Sequence, residues 1–402
     1  MVAGRLDCVV RNYAWGDLHA LPELLGEAGD GVPKAELWMG AHPGAPSLLG
    51  SRSLDELIAE RPSELLGRAV AAQFGQLPFL FKVLAAARPL SIQAHPTLPQ
   101  AITGFARENE AGIPLDGPER TYRDANHKPE LICALTRFEA KCGFRSLDQT
   151  RRLLESIPAI ELNELRTHLA ATGPDHEILA SGLAYLLRLP GRDAARLTSA
   201  VVSAVARLAN EGRHEILGPF AADVASVAFM NESFPGDIGV VVALLLNHVT
   251  LEPGEALYLA AGNLHAYLSG VGMELMANSD NVVRGGLTAK HIDVDELLTV
   301  VDTSPIDVPV QRPVGALHHF DSEAPEFALT RVALAEIDRA IEVGGPAIVV
   351  LTSGQARIGG VGAIGQGQPV FVGADEGWLA VDGDGLAWLA TVDAGQVRPA
   401  SL

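Results

Sequence analysis

Three cysteines, Cys8, Cys133 and Cys142, are all that the 402-residue chain contains. An odd number without metal-type spacing excludes a disulfide framework and a thiolate metal site, so they read as reduced thiols of a cytoplasmic protein. Clusters of Lys and Arg are also missing, and 30 basic against 49 acidic residues leave a formal charge of −19. That balance excludes a general nucleic-acid surface, because phosphate backbones reward clustered cations. It still allows an anionic small molecule, since a few cations lining a cleft outweigh a distant, screened surface charge. The longest apolar run, Ile238 to Leu246, is far too short to span a bilayer. Met1 to Val10 carries Arg5 and Asp7 instead of a long apolar run and does not read as a signal peptide. The absence of G-x-x-x-x-G-K-[ST] and of a strand-linked G-x-G-x-x-G argues against nucleotide chemistry. Low-complexity tracts are absent, and a composition 48% hydrophobic and 20% charged argues against extensive disorder. The length suffices for two or three domains.

What is present falls into three zones. Residues 1 to about 145 combine Gly, Pro and short apolar runs, which predicts strands and loops with one or two brief helices. Leu54 to Leu66 is predicted helical, with Ser53 as N-cap and Glu56 completing a capping box. Leu77 to Ala87 is apolar apart from Lys82, which reads as a snorkelling side chain at a strand end or as a cation at the rim of a cleft. The composition shifts at Ser146, where Ser146 and Gln149 form a capping-box pattern ahead of Leu147, Leu153, Leu154 and Ile157 at helical spacing. Helices are also predicted over Asp175 to Leu189 and Arg192 to Glu211, the second with an apolar stripe through Leu197, Val201 and Leu208. Strand pattern returns at His248, and short Val- and Ile-rich strands separated by Gly turns fill 320–402. Gly254 to Ala261 echoes Gly367 to Ala374, with His265 then falling opposite Trp378. The echo suggests two related β-barrels, only the first of which keeps a potential metal ligand. The fold class is therefore mainly β with a helical insertion.

Chemistry concentrates around Pro89-Leu-Ser-Ile-Gln-Ala-His-Pro96. A strand sends residues i and i+2 to one face, so Gln93 and His95 point together while Ile92 and Ala94 face away. An amide oxygen beside an imidazole nitrogen suits a borderline divalent metal, although a single Gln-x-His also fits surface polarity or a satisfied core histidine. Two further stretches gather polar groups beside apolar strands: Asn126-His-Lys-Pro-Glu130, and Gly262 to Lys290.

These stretches, with Tyr13-Ala-Trp-Gly16, Glu36-Leu-Trp-Met-Gly-Ala-His-Pro43, Phe234-Pro-Gly-Asp-Ile-Gly239 and Met276 through Lys290, occur in one order along the chain. In this the sequence resembles the type I phosphomannose isomerases, zinc enzymes of the cupin superfamily that interconvert mannose 6-phosphate and fructose 6-phosphate. The resemblance runs from residue 13 to 290 and becomes vague after about 300. It implies two cupin-type jelly-roll barrels plus an α-helical domain. The catalytic barrel would comprise 1–145 and 236–318, the helical insertion 146–235, and a degenerate barrel 319–402. It implies one Zn2+ per chain, held by Gln93, His95, Glu130 and His265. Two imidazoles, a carboxylate and an amide oxygen leave room for water or substrate, as a catalytic site requires. The same donors would accept Fe(II) or Mn(II).

Carried over in the same way, Lys82, His127, Lys128, Asp280 and Arg284 surround the sugar. Aldose–ketose isomerisation moves a proton between C1 and C2 through an enediol, so it needs a base and stabilisation of a developing oxyanion. The oxyanion is assigned to zinc and Arg284. His127, Lys128 and Asp280 are unranked candidates for ring opening and proton transfer. Lys82, Ser91 and Lys290 are candidates for the phosphate, where a Lys serves as a point charge. Ala289 stands where the family usually has Pro, which loosens the backbone before Lys290. The expected partner is a small sugar phosphate, with neither nucleic acid nor membrane, and the expected state is a monomer. The competing readings are a non-catalytic cupin that binds a sugar phosphate, and an iron oxygenase built on His95, Glu130 and His265. The phosphate-binding cations and a fourth protein ligand count against the oxygenase.

Overall fold

Phe79–Ala86 is buried at every position, which requires cover on both faces of the strand. Its neighbour on one side is Glu36–Gly40, and on the other the 13-residue strand His265–Ala277, paired from Gly270 with Ala86 to Ala277 with Phe79. In the computed structural model, which describes residues 3–210, 218–337, 340–374, 378–392 and 397–399, this long strand is the axis of a mainly antiparallel sheet. Its first part pairs His265 with Gln93 and with Cys142, and its second part also pairs Met276 with Glu130. The change of neighbours coincides with a register shift between Tyr267 and Ser269 and with Gly270 at φ 121°. A Cβ at Gly270 would lie 2.7 Å from the Arg137 carbonyl, so the crossing requires glycine.

A second sheet comprises strands from 317 to 399 together with Ala3–Asp7, Leu48–Leu49 and Arg52–Ser53. The N-terminal strand pairs Ala3 with Val372 and Arg5 with Val370, so the chain's start joins the C-terminal sheet, apart from the 1–145 unit read from sequence. The pairing covers an edge that would otherwise expose unsatisfied backbone groups. Phe79, Phe81, Leu131 and Met273 of the first sheet share one core with Phe320, Ile348, Phe371 and Trp388 of the second. Both echo segments form strands, Ala256–Leu259 and Val370–Val372. The Trp378 side chain, set against His265 in the sequence reading, lies outside the described residues.

Between the strands Phe138–Phe144 and Leu246–Leu251 the described residues include the helices Leu147–Ser156, Asn163–Leu169, Asp175–Leu187, Gly191–Asn210 and Ala221–Ser233. Their Leu and Val stripes pack with Ile92, Ala94, Leu264 and Leu287 into one core. The outward face of the Gln93 strand is thus buried under the helices and its other face is left for chemistry. Ser146 accepts the Gln149 amide, one half of the predicted capping box. The Ser53 capping box does not form: Ser53 Oγ turns to Asp55, and the helix Leu54–Glu60 breaks at Arg61 before Pro62. Thr97 and Gln100 form a full capping box instead, at the start of Leu98–Glu110. The three thiols are free, with Cys133 and Cys142 buried.

Candidate active site

Gln93 lies in the short strand Ile92–Ala94, His95 directly after it, Glu130 opens Glu130–Ala134, and His265 opens His265–Ala277. Because Gln93 is the cross-strand partner of His265, its side chain and those of His95 and His265 share one face of the sheet. Nδ1 of His95 faces the Asn281 carbonyl at 2.8 Å, and Nδ1 of His265 faces the Asn263 carbonyl at 3.0 Å. A carbonyl only accepts, so Nδ1 carries the proton in both rings and each Nε2 keeps its lone pair. Those lone pairs converge on Glu130, 3.3 Å from Oε1 for His95 and 3.4 Å from Oε2 for His265. All three side chains are 2% exposed. Nε2 of His95, Nε2 of His265 and Oε2 of Glu130 are buried without a hydrogen-bond partner.

Three orphaned acceptors at one point are costly unless a cation completes them. Their ligand atoms lie within 4.8 Å of one another, so the donor set fits a single divalent ion. Burial pushes His95 down to about 4, which keeps its imidazole neutral and able to ligate. Burial alone would raise Glu130, but the neighbouring Lys128 charge opposes it, and the carboxyl is held well below the usual range. Gln93 contributes an amide oxygen on the same face, where Oε1 accepts a hydrogen bond from Ser91 Oγ at 3.3 Å.

The candidate residues separate into three groups. Lys128, buried, places Nζ 3.1 Å from Glu130 Oε1 and belongs to the metal cluster. Ser91, Gln93, Arg284 and Lys290 line a cavity of about 560 Å³, with Arg284 directly across the strand pair from Gln93. Lys82, His127 and Asp280 do not line that cavity, although Lys82 feels the charge of Glu130. The Lys82 ammonium is buried in mid-strand, 3.1 Å from Glu274 and 3.5 Å from Glu36, over the Trp38 ring. It neither snorkels nor lines the cavity, because two carboxylates on neighbouring strands already satisfy it. His127 Nε2 sits 2.7 Å from Glu326, a residue just ahead of the second-sheet strand Ala328–Ala333. Asp280 is on the surface, 3.7 Å from the buried His42.

Several residues that position the site carried no assignment in the sequence reading. Asn281, fully buried, accepts the Arg123 amide at 2.7 Å and donates to the Asp124 and Asn126 carbonyls, each at 2.8 Å. It thereby ties the loop before Lys128 to the carbonyl that orients His95. Glu274, His42, Arg88 and Arg123 were likewise unassigned. His42 nevertheless falls inside the matched stretch Glu36 to Pro43, and Glu274 two residues before the matched Met276, whereas Arg88 and Arg123 carry no local signal.

A mainly antiparallel β protein with a buried His–Glu–His cluster, joined through Gln93 to a cationic cavity, is a metal-dependent enzyme acting on an anionic small molecule. The chain belongs to the mannose-6-phosphate isomerase family. Residues 4–147 match the catalytic domain of type I phosphomannose isomerase. The mannose-6-phosphate isomerase of Escherichia coli is 40% identical over 94% of this chain and 96% of its own length. The human mannose-6-phosphate isomerase is 36% identical over 75% and 73%. A crystal structure of the Salmonella typhimurium enzyme bound to fructose 6-phosphate and zinc superposes with a TM-score of 0.86 at 38% identity, covering 97% of this chain and 99% of that one.

Proposed function

We propose that this protein is a zinc-dependent aldose–ketose isomerase that interconverts mannose 6-phosphate and fructose 6-phosphate through an enediol. The observation that carries the reading is the convergence of three orphaned buried ligand atoms beside a cavity lined by cations. The related enzyme with zinc and fructose 6-phosphate bound supports both the metal and the substrate. Gln93, His95, Glu130 and His265 would hold the ion, which when bound supplies Lewis acidity toward the sugar oxygens.

The remaining work falls to side chains. Arg284, across from Gln93, offers a fixed positive charge where the enediolate oxygen develops. Lys128, the cation nearest Glu130, is the best-placed group for proton transfer at C1 and C2, with His127 held away by Glu326. Ring opening is assigned to the pair of Asp280 and the buried His42, 3.7 Å apart and outside the cavity lining. Lys290 and Ser91 hold the phosphate end, and Lys82 acts on the site indirectly by fixing Glu274 and Glu36. The two sheets are read as cupin-type barrels around the 146–235 helical insertion, the second a metal-free copy.

A coupled assay for fructose 6-phosphate formed from mannose 6-phosphate tests the reading. Activity should vanish on chelation and return with zinc. A wild-type protein loaded with zinc that binds mannose 6-phosphate without converting it would make the sugar-binding cupin the correct description.

A further inference from the structure

The cavity that Gln93 shares with the metal cluster is lined by Arg88, Arg284 and Lys290 and by no carboxylate. In a chain with 49 acidic residues this segregation is costly, because like charges repel and nothing neutralises them. Burial pushes Lys290 down, and the charges of Arg284 and then Arg123 push it the same way. Among the described residues, no carboxylate pairs with Arg88, Arg123, Arg284 or Lys290. Other arginines of this chain have such partners, as Arg107 does in Glu296 and Arg312 in Glu255. Unpaired cations around one cavity mark a place where an anion completes the charge.

Arg88 has no part in the family resemblance, which assigns the phosphate to Lys82, Ser91 and Lys290. Lys82 is already satisfied by Glu274 and Glu36. Arg88 is both free of such partners and held in place. Its amide and that of Ala87 both donate to the Trp15 carbonyl, at 3.2 and 2.9 Å. The buried Pro89 behind it restricts Arg88 to extended backbone. Ser91 lies three residues on and Gln93 five, and all three line the same cavity. A planar guanidinium with a fixed backbone is suited to bidentate contact with a phosphate.

We propose that Arg88 is a specificity-determining residue that recognises the phosphate of the sugar and selects phosphorylated over unphosphorylated hexose. The proposal rests on reading this cavity as the sugar-phosphate site. Arg88 faces solvent, so its effect is that of a charged contact at a cavity mouth, about two- to fivefold in affinity.

Two measurements on the zinc-loaded full chain test it. Inorganic phosphate binding is measured by titration calorimetry for wild type, Arg88→Gln and Arg88→Lys, and kinetics with mannose 6-phosphate are run over a range of salt. Arg88→Gln should weaken phosphate binding and raise KM by that factor, leave kcat within about twofold, and flatten the salt dependence of KM. Arg88→Lys should restore most of the loss. Phosphate binding by Arg88→Gln equal to wild type overturns the proposal, as does an equal loss in both variants carried by kcat. A wild type that binds phosphate through Arg88 yet isomerises nothing would uphold Arg88 and remove the isomerase reading.

Discussion

The Asp237 carboxylate accepts the Leu287 amide at 2.9 Å, joining two stretches fifty residues apart. The same carboxylate takes the amides of Gly239 at 2.7 Å and Thr288 at 3.1 Å. Leu287 is at φ 52°, the one positive-φ residue other than glycine among the described residues. A leucine there costs on the order of 1–2 kcal/mol, which the three charged hydrogen bonds offset. The approach is so close that a Cβ at Gly239 would lie 2.5 Å from the Leu287 amide nitrogen.

Asp237→Ala should therefore lose about 3 kcal/mol in urea unfolding, because three amides lose a charged acceptor. KM should rise as well, since Leu287 and Thr288 line the cavity. An unchanged unfolding midpoint would remove Asp237 from this role.

Metal analysis should return one divalent ion per chain for wild type. His95→Ala and His265→Ala should bind it more weakly by at least the hundredfold or so typical of an outer-partner loss. Stoichiometric metal in both variants would disprove the ligand set, and a second ion surviving the His265 change would disprove the metal-free second barrel.

Arg284→Ala should keep its metal and fold yet lose about a hundredfold or more in kcat, the usual cost of an electrostatic donor at a developing charge. Lys128→Met should fall by a comparable or larger factor, within the range of acid–base catalysis. His127→Asn should be milder, because the ring is engaged by Glu326. Should His127→Asn abolish turnover while Lys128→Met spares it, the proton assignment is reversed.

Stability should respond to pH once Lys82 is removed. Burial opposes the Lys82 charge, but Glu274 and Glu36 outweigh it and raise its pKa above the ordinary lysine range. A lysine raised in the folded state contributes fully below its unfolded value, near 10.4, and loses that contribution only at more alkaline pH. Wild type should therefore keep this contribution through neutral pH. Glu274 is raised by its burial, with Lys82 opposing. Without Lys82 the carboxyl is pushed higher still, and a raised carboxyl contributes below its unfolded value and loses ground as pH rises through the folded one. Lys82→Met should be destabilised by about 3–5 kcal/mol at neutral pH, and by less in acid. Equal destabilisation at pH 5 and pH 8, measured by denaturant unfolding, would refute the buried ion pair.

Local pattern decided which residues face which way. Alternation alone separated Gln93 and His95 from Ile92 and Ala94, and the latter pair is buried in the helical core. Helical spacing likewise marked helices, and Asp175–Leu187 and Gly191–Asn210 begin within one residue of their predicted starts. Such periodicity is written in the chain because neighbours along it determine it. What lies across a strand or a loop is not written there. The Lys82 charge acquired its meaning only from Glu274, 192 residues away, and the His127 ring only from Glu326, 199 residues away. The N-terminal strand found its partner in Val370–Val372, and Arg88 joined Arg284 and Lys290 through the closing of the cavity between strand and loop. Register and packing between distant segments select those partners, and only the folded chain brings them within reach of one another.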